Sequence, residues 1–568
     1  MQKYIVNKRN HWWVDAGISG LYYIAQCYKD VLEKYDVSVY PERDALIFQY
    51  NEEANLRAFL SECYTILTDR HWNISTKKQE EEKELVIYNK EEDRLSLAPK
   101  RIPKPVANLF VGARSWRGEG LPYDDLDEEM KQRVDLFLKK NNRELWGKKR
   151  ILLYGPPVCH QDLEMLPPEN RKRKPETCCI CGKSTSNYLE VGLPSYLLFA
   201  SSSAAKSFNS QAKSPDNLCW ECDFLSKFAL ESVGYKKTGP DLFIIQAHSP
   251  DMEKLINIQN GIGTGSIMRE FDKDSYWTNL KSGEGTLVSR ANKPYELLWA
   301  FFYDIYDTLY MESNTEEAQD DEDPFYEFLN QIHSFHLQVF MLHASDSGNT
   351  FITRELIIYQ DTSYAFLLMR HLKEKGIDLK AFFNGLWDWD KEKNQNLIRE
   401  KVLRNILKKR SVLQIVERYC FQKVINETGY FSTSLMLNFL CNYEPEIRRD
   451  CMDKLQIETA VNLGKQIVRS SIQSEQGMEQ LERGKKESVL HKLRGDLFTL
   501  RKTRTKTDFL TQLSNLQFRY GIAVPNEILS GMLEQVDFEE FRAYCIMGAL
   551  NVYAFEIGKI KKNPEVES

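Results

Sequence analysis

Apolar residues in the first half of the chain recur in short, interrupted runs. Leu56, Phe59, Leu60, Tyr64 and Leu67 fall three or four residues apart, which predicts a helix within 50–67. Leu21–Cys27 reads as part of another helix, entered through a turn at Gly17–Gly20. Leu85–Tyr88, Ile151–Tyr154 and Leu242–Ala247 are short enough and apolar enough for strands. Proline-rich stretches at 99–105 and 166–175 separate them. From about residue 395 the spacing becomes almost wholly helical. Val402, Leu403, Ile406 and Leu407 make one stripe, and Val412, Leu413, Val416 and Tyr419 the next. After a helix-breaking Tyr443-Glu444-Pro445, another stripe runs from Leu455 to Val468. Phe509, Leu510, Leu513, Leu516 and Phe518 follow, with Thr507 as the expected N-cap and Gly521 as the end, and Phe541–Phe555 closes the series. The expected fold class is α+β: a mixed amino-terminal region carrying an inserted zinc-ribbon-like module, then an all-α carboxy-terminal bundle. The corresponding domains are 1–175, 176–225, 226–394 (with an acidic loop at 312–324) and 395–568.

With 568 residues the chain exceeds one core and fits about two to four domains. Its amino terminus shows no signal-peptide pattern and no run is long enough to cross a bilayer, so the expected location is the cytoplasm, with no membrane partner. Twelve cysteines in that compartment are expected as thiols. A net charge of −6 argues against coating nucleic acid by bulk charge, but the charge is uneven. Between Lys465 and Lys506 there are eleven Lys/Arg against five Asp/Glu. Arg469, Lys485, Lys486, Arg494, Arg501, Lys502 and Arg504 are the candidates there for contact with a nucleic-acid backbone, against the plainer alternative of a solvated helix face.

The sharpest local signal is Cys178-x2-Cys181, then 37 intervening residues, then Cys219-x2-Cys222. Two residues between thiolates let a tight knuckle turn both sulfurs toward one tetrahedral ion. Gly182 suits such a knuckle, because it takes positive φ freely. Four thiolates with no open position point to a structural Zn(2+); an iron–sulfur cluster, or four buried cysteines that bind nothing, are the alternatives. The spacer exceeds the roughly 15–20 residues of compact ribbons, and the polar stretch at 201–215 accounts for the excess. Cys179 is a fifth thiol, not expected to be a ligand. A nuclease of the HNH type would need a histidine between the pairs, and the nearest, His160 and His248, lie outside.

No phosphate-binding GxxxxGK[ST], His-Asp dipeptide or Gly-Gly-Asp-Asp occurs, so no enzyme is expected. The glycine-rich segment 259–266, with Asn260, Gly261, Gly263 and Gly265, is a candidate for close approach to DNA, or else a surface loop. Arg114 and Arg117 around Trp116 are a second candidate, or else a surface turn.

The opening HWWVDAGISGLYYIA resembles the Val-Asp-x-Gly-x-x-x-Leu segment of the large subunits of type I CRISPR surveillance complexes (Cascade). The paired CxxC is the name-giving feature of their CXXC–CXXC family, found in type I-B systems, and the helical carboxy-terminal third resembles the Cascade small subunit. This resemblance implies a non-catalytic role in antiviral defence. The implied partners are guide RNA, target double-stranded DNA, the Cascade backbone and small subunits, and the recruited helicase–nuclease. The large subunit would read the protospacer-adjacent motif and help part the strands while the guide supplies sequence specificity. A zinc-stabilised scaffold or regulator that binds only protein is the alternative. In related systems the small subunit is also made by internal translation. Met452, between Pro445 and the stripe beginning at Leu455, is the expected start, giving a product of 117 residues through Ser568.

Overall fold

In the computed structural model the described residues are 1–71, 86–97, 120–141, 151–154, 174–190, 217–261, 280, 286–313, 324–334, 336–346, 351–388, 396–426, 432–447, 452–473 and 483–562. They form two compact units: Met1–Ser289 with Asp307–Ser363, and Arg290–Tyr306 with Tyr364–Ser568. The first is mixed α/β and the second is helical.

In the first unit, β1 (Gln2–Asn7), β2 (Ser38–Glu42) and β3 (Ala45–Tyr50) pair antiparallel in the order β1-β3-β2. The central strand needs apolar residues on both faces, and Ala45–Phe48 are all buried. β4 (Val86–Asn89), β5 (Arg94–Leu97), β6 (Gly120–Pro122) and β7 (Ile151–Tyr154) pair as β5-β4-β7-β6, with β4 and β7 parallel. Val86 and Leu152 meet Val134 and Leu138 of the helix Glu128–Lys140 in a small separate core. Two short ladders follow: β8 (Glu176–Thr177) with β9 (Ser184–Thr185), and β10 (Tyr188–Glu190) with β11 (Asn217–Cys219). A last antiparallel sheet takes β12 (Gly234–Thr238), β13 (Asp241–His248), β14 (Gln338–Asp346) and β15 (Phe351–Tyr359) in chain order.

The helix Trp12–Cys27 runs unbroken through Gly17 and Gly20, where the sequence pattern suggests a turn. His11 caps it, its Nδ1 accepting from Val14 N at 3.4 Å. The glycines are there for contact. A Cβ on Gly17 would lie 1.8 Å from the Leu225 carbonyl oxygen, and one on Gly20 1.9 Å from that of Phe228. The helix therefore lies with its backbone against the backbone of the segment that follows Cys222. Trp13, Ile18, Leu21 and Ile24 join Phe48, Phe59, Leu60, Tyr64, Phe224 and Phe228 in the main core.

The helical unit includes Leu397–Leu407, Leu413–Ile425, Thr433–Ile447, Lys454–Gln473, Arg483–Lys502, Lys506–Tyr520 and Phe538–Lys562. It begins earlier than residue 395 and also takes in Arg290–Tyr306. A buried ion pair explains this. Arg399 Nε lies 2.8 Å from Glu296 Oε1, with side-chain exposures of 2% and 0%, and the guanidinium stacks 4.0 Å from the Phe383 ring centre. The Glu400 carboxylate accepts from Tyr295 N and Glu296 N, capping the helix Pro294–Ser313. Polar groups this deep are tolerated only when paired, so these contacts tie the two segments together.

Two local expectations change. Pro445 does not break the chain at 443–445; it sits in the last turn of Thr433–Ile447. Glu444 is buried there, and its carboxylate accepts from Val412 N at 2.7 Å and Leu413 N at 2.9 Å. The cap of Lys506–Tyr520 is Thr505, whose Oγ1 accepts from Asp508 N, whereas Thr507 lies inside the helix. Gly521 ends it in the left-handed conformation, as expected. No described helix is long and apolar enough to cross a membrane. The acidic loop lies outside the described residues apart from its edges.

Candidate metal centre

The four cysteines of the two CxxC pairs converge. One ligand atom from each of Cys178, Cys181, Cys219 and Cys222 lies within 4.8 Å of every other, and Cys178, Cys219 and Cys222 are buried. The first pair rides on a knuckle closed by the β8–β9 ladder. Cys178 N donates to Lys183 O at 3.0 Å, and Gly182 N to Cys178 O at 2.9 Å. Gly182 takes φ 70° at the tip, where a side chain would be strained. The second pair sits where β11 runs into the helix Trp220–Phe228. Cys219 is its N-cap, the sulfur accepting from Cys222 N at 3.4 Å, so both thiols lie at the positive end of the helix. Cys179 is exposed and holds the knuckle to β11 through its backbone, its N–H donating to Asn217 O at 2.9 Å. Residues 201–215 lie outside the described residues.

The spacing fits a tetrahedral ion. Metal–sulfur bonds of about 2.3 Å put tetrahedral sulfurs roughly 3.8 Å apart, and Cys181 Sγ and Cys219 Sγ are 3.7 Å apart. Four thiolates at this separation repel one another too strongly to coexist without a cation. Hydrogen bonds from Cys219 and Cys222 push the Cys178 thiol far down. The same bonds push Cys219 up to about 12, and Cys222 upward as well, with burial adding to both. These four closely spaced cysteines can bind a metal ion.

A second layer surrounds the sulfurs that the sequence did not point to. Glu221, between the ligands Cys219 and Cys222, is buried, and its two oxygens go to different partners on the amino-terminal segment. Tyr4 OH donates to Oε1 at 2.8 Å and Arg9 Nη2 to Oε2 at 2.7 Å. Burial opposes the Arg9 charge, but Glu221, then Cys222, Cys181 and Cys219, more than offset it, and its pKa stands above the ordinary value. Behind this layer the Trp220–Phe228 helix continues into the contact with Gly17 and Gly20. Lys227 and Asp223 of that helix form a buried ion pair.

The other candidates do not gather here. Asn260 and Gly261 are the last residues of the helix Met252–Gly261, so the glycine-rich segment opens on a helix end rather than as a loop from 259. Gly263, Gly265, Arg114 and Arg117 lie outside the described residues. In the helical unit Arg469, Lys502 and Arg504 are exposed and Arg494 is half-buried. Lys485 and Lys486 fall in the first turn of Arg483–Lys502, with their side chains outside the described set. Arg501 is held in an ion pair, its Nε and Nη2 on both oxygens of buried Glu417 at 2.6 and 3.0 Å. Its guanidinium also lies 4.8 Å from the Phe421 ring centre. Lys502 lies 4.2 Å from the ring centre of Phe498, which is 44% exposed. Met452 is described and buried; Arg448 and Arg449 are outside the described residues.

The class of molecule these features define is a two-unit protein, one α/β and one helical, with a closed four-cysteine site in the first. No protein-family model matches the chain, and a search of curated proteins finds no match.

Proposed function

We propose that this chain is the non-catalytic large subunit of a type I-B CRISPR surveillance complex, working in the cytoplasm. The observation that carries the reading is a contact between the two segments with the resemblance. The Val-Asp-x-Gly helix lies with Gly17 and Gly20 against the helix that begins at the second CxxC. In this reading the four cysteines hold a structural Zn(2+) in a zinc-ribbon-like module. All four positions are protein thiolates, which leaves no place for a reacting water. The metal would supply rigidity by cross-linking β8–β9 to the Trp220–Phe228 helix.

The first unit would read the protospacer-adjacent motif, help separate the strands and present a surface to the helicase–nuclease. Asn260, Gly261, Gly263 and Gly265 of the 259–266 segment, with Arg114 and Arg117, are the proposed DNA contacts. The helical unit would lie along guide RNA or a displaced strand through Arg469, Arg494, Lys502 and Arg504, with the part-exposed Phe498 beside them. Lys485 and Lys486 belong to the same proposed face.

The test is expression of the tagged chain with its neighbouring genes. Purified material should carry guide RNA and repeated backbone subunits, and bind target duplex with steep salt dependence. Recovery of protein partners without any nucleic acid would replace this reading with that of a scaffold or regulator. Metal-dependent DNA cleavage by the chain alone would make it an enzyme.

A further inference from the structure

A divalent ion held by four thiolates carries a formal charge of −2. Such a charge in a buried site needs nearby donors or cations, and outer partners of this kind change metal affinity by about 10–100-fold. Here the outer layer contains one group of each sign in contact. Arg9 and Glu221 are 2.7 Å apart, with side-chain exposures of 13% and 9%. Glu221 is covalently between two ligands, while Arg9 arrives from a distant part of the chain at the end of β1. Arg9 holds the carboxylate of the residue between Cys219 and Cys222 in the first turn of the helix, which puts its guanidinium beside the cysteine cluster. Tyr4 fixes the other Glu221 oxygen, so the carboxylate is held in place rather than free to turn toward solvent.

The geometry points to Arg9 as the counter-charge of the metal centre, with Glu221 as its positioning residue and electrostatic opponent. Arg9 strengthens the hold of Cys178, Cys181, Cys219 and Cys222 on a divalent cation. Glu221 weakens that hold, and is retained because it places the guanidinium. The amino-terminal strand is thereby tied to metal occupancy: loading the site draws Arg9 in, and drawing Arg9 in favours loading. This inference rests on the reading that the four cysteines hold a divalent metal.

The two residues share one ion pair, which makes a sharp test. Removing either partner breaks the same contact, so a merely structural link predicts that both changes loosen the metal alike. A charge effect predicts opposite signs. The experiment is competition for Zn(2+) between the full-length protein and a chromogenic chelator. Arg9→Met should weaken binding about tenfold, and Arg9→Lys, which keeps the charge, should recover most of that. Glu221→Gln keeps the shape and removes the opposing charge, so it should tighten binding several-fold. Equal weakening in Arg9→Met and Glu221→Gln overturns the inference and leaves the metal reading standing. If Arg9→Met does not fold, Arg9→Gln takes its place: affinity in that variant equal to that of the unaltered protein overturns the inference. No Zn(2+) bound by the unaltered protein overturns both the inference and the metal reading.

Discussion

Gly17→Ala is the substitution on which the packing of the cysteine-bearing helix can be judged. The new methyl would sit 1.8 Å from Leu225 O and 2.6 Å from Leu225 C. Both atoms are backbone, so no side-chain rotation relieves the clash, and the helices must separate by about 1.5 Å to restore ordinary contact. A gap of that size removes much of the attraction along a helix that buries Trp13, Ile18, Leu21 and Ile24. Overpacking of this kind costs about 3 kcal/mol. Alanine is the better helix former by about 1 kcal/mol, so the net loss should be about 2 kcal/mol. Gly495→Ala is the matched control. It lies inside the helix Arg483–Lys502 and a Cβ there meets nothing within 4 Å, so only the propensity gain remains. Hydrogen exchange followed by mass spectrometry reads both, because it reports each helix separately in a protein of two units. Peptides from Trp12–Cys27 should lose protection in Gly17→Ala, with faster loss of metal to a chelator because the Trp220–Phe228 helix carries Cys222. Peptides from Arg483–Lys502 should gain protection in Gly495→Ala. Undiminished protection of the amino-terminal helix in Gly17→Ala would refute the close contact.

Four further outcomes are expected. Elemental analysis should give one metal per chain; Cys181→Ser should abolish retention, and Cys179→Ser should leave it intact. Metal affinity should rise with pH: Cys219 and Cys222 are pushed up, so both hold protons near neutrality that the ion must displace, and binding weakens from about pH 8 to about pH 6; a flat profile across that range would contradict the assignment. Arg501→Met should destabilise the helical unit by about 2 kcal/mol by stranding buried Glu417, whereas Lys502→Glu with Arg504→Glu should leave melting unchanged and weaken nucleic-acid binding at low salt. Intact mass spectrometry of the purified complex should show a 117-residue fragment beginning at Met452, and its persistence after Met452 is recoded to Leu would rule out that start.

The four-cysteine cluster was legible in the sequence because its chemistry is local: two residues between thiols set the knuckle whatever surrounds it. The helical stripes were legible for a similar reason, since Leu513 and Leu516 share a face at any helix of that spacing. What the sequence could not reveal depends on partners far along the chain. Gly17 and Gly20 looked like a turn because nothing nearby explains a glycine inside a helix; the reason is the backbone of Leu225 and Phe228. Arg501 looked like one of several free cations until Glu417, 84 residues away, claimed it. The edge of the helical unit depended on Glu296 meeting Arg399, 103 residues on. Arg9 and Glu221 are 212 residues apart, and no periodicity links them. Spacing within one helix or one knuckle is enforced by bond lengths and backbone angles, whereas a buried charge acquires its role only when the folded chain brings up the group that neutralises it.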